Sequence, residues 1–170
     1  YCHIPFASLS ADAAAITVTC TSPSKTFNLA GLQISNIFIS DESLRCCFKE
    51  ELSRTGYDEP NTLGLAGAKA AYEHGAPWLK ELLAYIEENY AFTKKYLAAH
   101  LPKVQLIEPE GTYLIWMDFS AYGLSDKELN EKVIHEANLW LDDGPIFGVG
   151  GSGFQRMNLA CPRSTLQMGL

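Results

Sequence analysis

Two hydrophobic periods alternate along this chain. Residues 15–21 and 34–39 are short apolar, β-branched runs that read as strands. Between and after them the spacing becomes helical. A turn of helix is predicted over 10–14 with Ser10 as its cap, and a helix over 41–54 with Asp41 or Ser40 as cap and Gly56 as C-cap. After a polar connection at 55–61, residues 62–74 are rich in small residues (Gly64, Ala66, Gly67, Ala68, Ala70, Ala71), which suits close helix packing, and Gly75 ends them. Pro77 sits in the first turn of a long helix to about residue 100, whose inward positions are Leu79, Leu82, Leu83, Ile86, Tyr90, Thr93 and Leu97. Beyond Pro102 the period of two returns at 104–107 and 112–118. Ser125 and Glu128 form a capping box opening a helix to about 138. Residues 139–141 read as a short strand, Asp142-Asp143-Gly144 as a turn, 147–153 as a mobile glycine-rich loop and 154–159 as the last strand.

Strands with helices come first, then one long helix, then a small α+β unit, without internal repeats. The boundary is expected within the long helix, around 80–90. The chain opens on Tyr1 without an initiating methionine and closes at Leu170 just as a helix begins, and so reads as a segment of a longer protein.

Composition narrows the function classes. Of the 170 residues 47% are hydrophobic and 19% charged, which is globular. The net charge of -7, without a basic block, argues against nucleic acid or an anionic membrane as partner. No apolar run approaches the roughly 20 residues that span a bilayer. Cys2, Cys20, Cys46, Cys47 and Cys161 lack ligand spacing, which points to free thiols in the reducing cytoplasm and no metal site. His3, His74, His100 and His135 are scattered and suggest no triad.

The candidate chemistry centres on Lys25. The run before it reads as a buried strand, and a buried lysine loses proton affinity, becoming a nucleophile toward aldehydes; the alternative is a lysine that carries its charged head to water from a strand end. Ser22, Ser24 and Thr26 surround it with hydroxyls, and Asn28 and Gly31 follow. Hydroxyls and free amides at the start of a helical turn suit a phosphate monoester. Arg156, beside Gln155 on an otherwise apolar strand, is either a surface arginine of an edge strand or a residue that needs an anion, in which case a carboxylate would bind its fork in bidentate fashion. Tyr113 is either a substrate-lining residue or a core tyrosine of a hairpin. The loop at 148–153 lacks the strand-before, helix-after context of a dinucleotide site. Arg163 reads as structural.

The stretch Ser22-Pro23-Ser24-Lys25-Thr26-Phe27-Asn28-Leu29-Ala30-Gly31-Leu32-Gln33 resembles the cofactor-lysine motif of fold-type I pyridoxal-phosphate enzymes of the class I/II aminotransferase superfamily. Pro5-Phe6-Ala7-Ser8-Leu9, Gly111-Thr112-Tyr113-Leu114-Ile115-Trp116 and Arg156-Met157-Asn158-Leu159-Ala160-Cys161-Pro162-Arg163 extend the resemblance toward the cystathionine β-lyase (C–S lyase) branch. It implies an α/β chain, the C-terminal part of a pyridoxal-phosphate-dependent transferase-like fold. Residues 1–80 would end the large cofactor-binding domain and 81–170 would form the small α+β domain. Lys25 would bind the cofactor covalently and move the Cα proton. Ser22, the better match, and Ser24 would serve the phosphate, while Arg156 would hold the substrate's carboxylate and Tyr113 line its site. Many aminotransferases carry an arginine eight residues after the lysine; here Gln33 stands there, a departure typical of the lyase-like branch.

The implied reaction is α,β-elimination from a β-thioether amino acid such as cystathionine. The alternatives are transamination and a non-catalytic regulatory role on the same fold. The resemblance further implies a homodimer acting on a small amino acid. In the superfamily the carboxylate that partners the pyridine nitrogen and the ring that stacks on it lie upstream of the lysine. The parent protein is therefore expected to be an enzyme, and the isolated segment inactive and unable to hold cofactor tightly.

Overall fold

Each of four helices begins where a short polar side chain takes up a free amide. Ser10 accepts from Ala13 N at 3.0 Å and opens α1 (Ala11–Ala15). Asp41 accepts from Leu44 N at 2.8 Å and opens α2 (Glu42–Thr55), which Gly56 closes in the left-handed conformation at φ 73°. Asn61 accepts from Gly64 N at 2.6 Å and opens α3 (Thr62–His74). Helix α4 (Ala76–His100) follows, with Pro77 in its first turn. Ser125 and Glu128 form the expected capping box at α5 (Asp126–Glu131). The structure, a computed structural model, describes residues 2–57 and 59–170; Tyr1 and Asp58, which fall on the predicted opening loop and the 55–61 connection, lie outside them.

The described residues divide into two units, Cys2–Glu81 and Leu82–Leu170. In the first, β1 (Val18–Thr21) pairs antiparallel with β2 (Asn36–Ile39), with Val18 opposite Ile39 and Thr21 opposite Asn36. The predicted first strand loses residues 15–17, because α1 runs to Ala15 and Thr17 Oγ1 turns back to Ala13 O. The expectation of a buried strand before Lys25 also fails. Val18 is 45% exposed and Phe38 60%, since among the described residues these two strands pair only with each other and form a two-stranded ribbon.

The second unit holds a four-stranded antiparallel sheet in the order β3 (Gln105–Ile107), β4 (Leu114–Asp118), β6 (Phe154–Asn158), β5 (Asp142–Asp143). Residues 139–141 are not a strand, and Asp142-Asp143 is not a turn but the edge strand itself, in register with Arg156 and Gln155. The helix predicted to 138 leaves α geometry at Lys132 for a π turn over Lys132–Glu136, with Ala137 N donating to Lys132 O. The core lies on one face of the sheet, where Ile115, Met117 and Met157 pack with Leu159, with Leu97 of α4 and with Leu166 of α6 (Arg163–Gly169). The predicted stripe on α4 ends at the buried Thr93 and Leu97, and it also contains a fully buried polar residue, Asn89.

Candidate functional site: a lysine turn and an arginine on the sheet

Residues 22–35 connect β1 to β2, and Lys25 stands in the turn that begins this connection. Ser22 closes its neck by donating its hydroxyl to Ile34 O at 2.7 Å. Ser22 Oγ also accepts from Ser24 N at 3.1 Å and lies 2.6 Å from Ser24 Oγ. Because Ser22 has one proton and spends it on Ile34, the proton in the serine–serine contact comes from Ser24. Phe27 N donates to Pro23 O and Leu29 N to Ser24 O, wrapping the turn around Lys25. Asn28 takes the left-handed conformation at φ 55°, which asparagine tolerates better than most residues.

Lys25 itself is exposed, and among the described residues its amine has no hydrogen-bond or ion-pair partner. The backbone amides of Lys25, Thr26 and Asn28 are likewise without partners among the described residues. A free primary amine beside unspent amides and a serine whose hydroxyl can rotate outward suits a phosphorylated aldehyde. Ser24 can offer its proton by rotating, whereas Ser22 must first release the neck of the loop.

Helix α3 is rich in small residues because this loop lies on it. A Cβ at Gly67 would come within 2.6 Å of Leu32 Cδ1, and one at Gly75 within 2.5 Å of the Phe27 ring. Asn61 Nδ2 donates to Leu32 O at 2.7 Å, so the residue that caps α3 also pins the loop. Phe27 meets Tyr72 edge to face at 6.0 Å and Trp78 at 6.2 Å. The pattern Gly64, Gly67, Ala68, Ala71, Gly75 is thus a smooth helix face that receives the two loop residues following the lysine.

Arg156 lies on the face of the second sheet opposite the core. Register places Trp116 of β4 and Asp142 of β5 on either side of it. Its Nε and Nη2 both donate to Asp142 Oδ2, at 3.0 and 2.7 Å. The guanidinium carbon lies 4.4 Å from the Phe147 ring centroid, and Phe147 meets Trp116 edge to face at 5.4 Å. Trp116 in turn stacks on Phe154 at 5.3 Å. The anion that the apolar strand demanded is therefore partly supplied from within, by Asp142. The glycine-rich loop is pinned at its base while residues 145–150 stay exposed. Its short 3-10 turns Gly144–Phe147 and Val149–Gly151 pack so tightly that a Cβ on Gly151 would lie 1.9 Å from Gly144 O, and Gly153 N donates to Asp126 at 2.7 Å.

Tyr113 lies elsewhere. With Ile115, Leu159, Leu83 and Ile86 it lines a cavity of about 560 Å³ beside α4, while Arg156 shares the opposite sheet face with Trp116. Within this unit the two predicted substrate residues are not brought together. The same cavity holds Tyr90 and Glu108; Lys94 and Tyr90 each donate to Glu108 Oε2 at 2.8 Å. The bonds from Lys94 and Tyr90 hold the Glu108 carboxyl below its ordinary range, and the bond to Glu108 raises Lys94.

The sequence reading missed Asp142, Phe147 and Asn89. Asn89 donates to Leu159 O at 2.9 Å and Cys161 O at 3.0 Å and accepts from Arg163 Nε at 2.7 Å. It ties α4 to the segment leaving the arginine strand, and it gives Arg163, stacked 4.8 Å from the Phe92 centroid, the structural role expected of it. An asparagine on an apolar helical stripe was the available signal. Among the described residues no cluster of His, Cys, Asp and Glu could hold a metal, and no helix is long and apolar enough to cross a membrane.

The sequence pattern described as "Aminotransferase class I and II" matches residues 4–170. The chain belongs to that family. Within it, cystathionine beta-lyase PatB of Bacillus subtilis (strain 168) is 49% identical over 168 residues, covering 99% of this chain and 43% of PatB. The crystal structure of cystalysin from Treponema denticola, which contains a pyridoxal 5'-phosphate cofactor, superposes with a TM-score of 0.95 at 37% identity, covering 99% of this chain and 43% of cystalysin. The aspartate aminotransferase of Pyrococcus horikoshii is more distant, 22% identical over 88% of this chain and 38% of its own. The chain thus has the α/β fold of this family and spans about 43% of the length of PatB and cystalysin.

Proposed function

We propose that the full-length protein is a pyridoxal-phosphate enzyme that cleaves C–S bonds in β-thioether amino acids by α,β-elimination. Lys25 carries this reading: an unpaired amine in a serine-closed turn, in a chain 49% identical to a cystathionine β-lyase. Residues 1–80 are read as the end of the large domain and 81–170 as the small one. A homodimer in the cytoplasm is proposed with it, supported by the family and by the five unpaired cysteines.

When bound, pyridoxal phosphate supplies an electron sink for charge at the substrate's Cα. The residues of this chain do the rest. Lys25 would hold the cofactor through its aldehyde. The lysine amine would take the Cα proton and return a proton to the sulfur that departs with the Cβ–S electron pair. Ser24, the free amides beside it and, with the neck of the loop opened, Ser22 donate to the phosphate. Arg156 binds the α-carboxylate and so fixes which Cα bond is broken. Tyr113, from the cavity beside α4, would line the substrate's site. Water completes the balance, so cystathionine yields homocysteine, pyruvate and ammonia.

Incubation of the full-length protein with L-cystathionine and no keto acid is expected to release ammonia and pyruvate in equal amounts. Lys25→Ala is expected to abolish this, along with the borohydride-fixed cofactor on the peptide containing residue 25. Turnover only with an added keto acid would replace the lyase reading by transamination. Unchanged turnover in Lys25→Ala would remove the lysine from the mechanism. The 170-residue chain alone is expected to retain no cofactor after borohydride reduction and gel filtration.

A further inference from the structure

Asp142, Arg156 and Trp116 form a row across three strands on one sheet face. A guanidinium carries its five N–H groups in one plane, with two edges that each fit a carboxylate. The Nε–Nη2 edge of Arg156 is spent on a single oxygen of Asp142, at 3.0 and 2.7 Å. Its Nη1 has no partner among the described residues, so the Nη1–Nη2 edge is open. The guanidinium carbon sits over the Phe147 ring, 4.4 Å from its centroid. The arginine is therefore held along one edge and against Phe147 while its other edge is left available.

We propose that Asp142 is a positioning residue for carboxylate recognition. It fixes the rotamer of Arg156 so that the Nη1–Nη2 edge is presented as a two-pronged receptor for the substrate's α-carboxylate. The inference rests on the reading of Arg156 given above. An arginine already immobilised loses less rotamer freedom when substrate binds, and its fork arrives aligned. Asp142 also repels the incoming carboxylate, but its side chain is 47% exposed and the open edge faces away from it. Water screens that repulsion, and alignment is the larger effect.

The test uses the full-length holoenzyme. Two quantities are measured: KM and kcat for L-cystathionine, and the calorimetric Kd of 3-(methylthio)propionate, a thioether carboxylate with no amine to react. Asp142→Ala is expected to raise both KM and Kd about tenfold, the effect of one charge-assisted hydrogen bond. It should leave kcat within about twofold, since no group at the reacting atoms changes. Asp142→Asn keeps an acceptor for the guanidinium and should recover at least half of the effect. Unchanged or lower KM and Kd in Asp142→Ala would overturn the inference, the latter by showing that repulsion dominates. If the alanine variant does not fold, the asparagine variant decides: a two- to threefold rise supports positioning and no rise overturns it. Arg156→Ala separates the two readings. If it leaves Kd for the carboxylate unchanged, the assignment of Arg156 falls and Asp142 with it. If it weakens binding while Asp142→Ala does not, only the positioning role falls.

Discussion

Asn89→Ala tests how firmly the strand carrying Arg156 is held. The side chain is fully buried and makes three hydrogen bonds, two donated to Leu159 O and Cys161 O and one accepted from Arg163 Nε. Alanine leaves two carbonyls and one guanidinium edge without their partner. At about 1 kcal/mol for each neutral bond and about 1.5–3 kcal/mol for the charged one, the loss is about 3–5 kcal/mol. That is a large share of the roughly 5–15 kcal/mol that stabilises a domain. The damage is local, at the junction of α4 with residues 159–163. Hydrogen exchange read by mass spectrometry on the full-length protein should therefore show protection of peptides over 155–166 falling by about two to four orders of magnitude, at 1.36 kcal/mol per decade. The α1–β1 region should be unaffected. A fall of less than about fivefold would mean that water or relaxation satisfies these groups and that Asn89 is not the latch described.

Ser22→Ala removes the bond that closes the Lys25 loop at Ile34 and the acceptor for Ser24 N; the full-length protein should bind pyridoxal phosphate about tenfold more weakly by fluorescence titration, and an unchanged Kd would refute the role of the neck. Gly64→Ala puts a methyl 2.8 Å from Asn61 Nδ2 and 3.0 Å from Leu32 O, a backbone atom that cannot yield alone. It should lower stability by about 1–3 kcal/mol in thermal unfolding, whereas Gly31→Ala, with nothing within 4 Å, should be nearly neutral. Glu108 is held below its ordinary carboxylate range by the hydrogen bonds from Lys94 and Tyr90, so its contribution is present above the unfolded-state range and is lost as pH falls through the folded-state value. Glu108→Gln should therefore be less stable than the wild type at neutral pH, the difference shrinking as pH falls below about 4.3, the ordinary glutamate value, and vanishing only below the depressed folded-state value; a constant difference at all pH values would contradict the ionic origin.

Local chemistry made much of this chain legible. Ser10, Asp41 and Ser125 sit where caps form, and Gly56 where a left-handed residue ends a helix, because capping depends on groups within four residues. The turn bearing Lys25, its serines and the small-residue face of α3 were visible for the same reason. The partner of that face was not, since Leu32 and Phe27 reach it only through the tertiary fold. Arg156 announced its need for an anion by standing on an apolar strand, but which anion is a question of register. Asp142 looked like a turn residue because two acidic residues before a glycine carry that local preference. Pairing with β6 overrides it and makes it the edge strand beside the guanidinium. Likewise Tyr113 and Arg156 seemed equivalent along the chain, until strand alternation sent them to opposite faces. The sequence alone determined most helix starts, the long helices and the serine-flanked lysine motif, all set by short-range preferences. Only the tertiary structure decided which charges meet, which hydroxyl is already spent and which edge of Arg156 stays open, because those depend on residues brought together from distant parts of the chain.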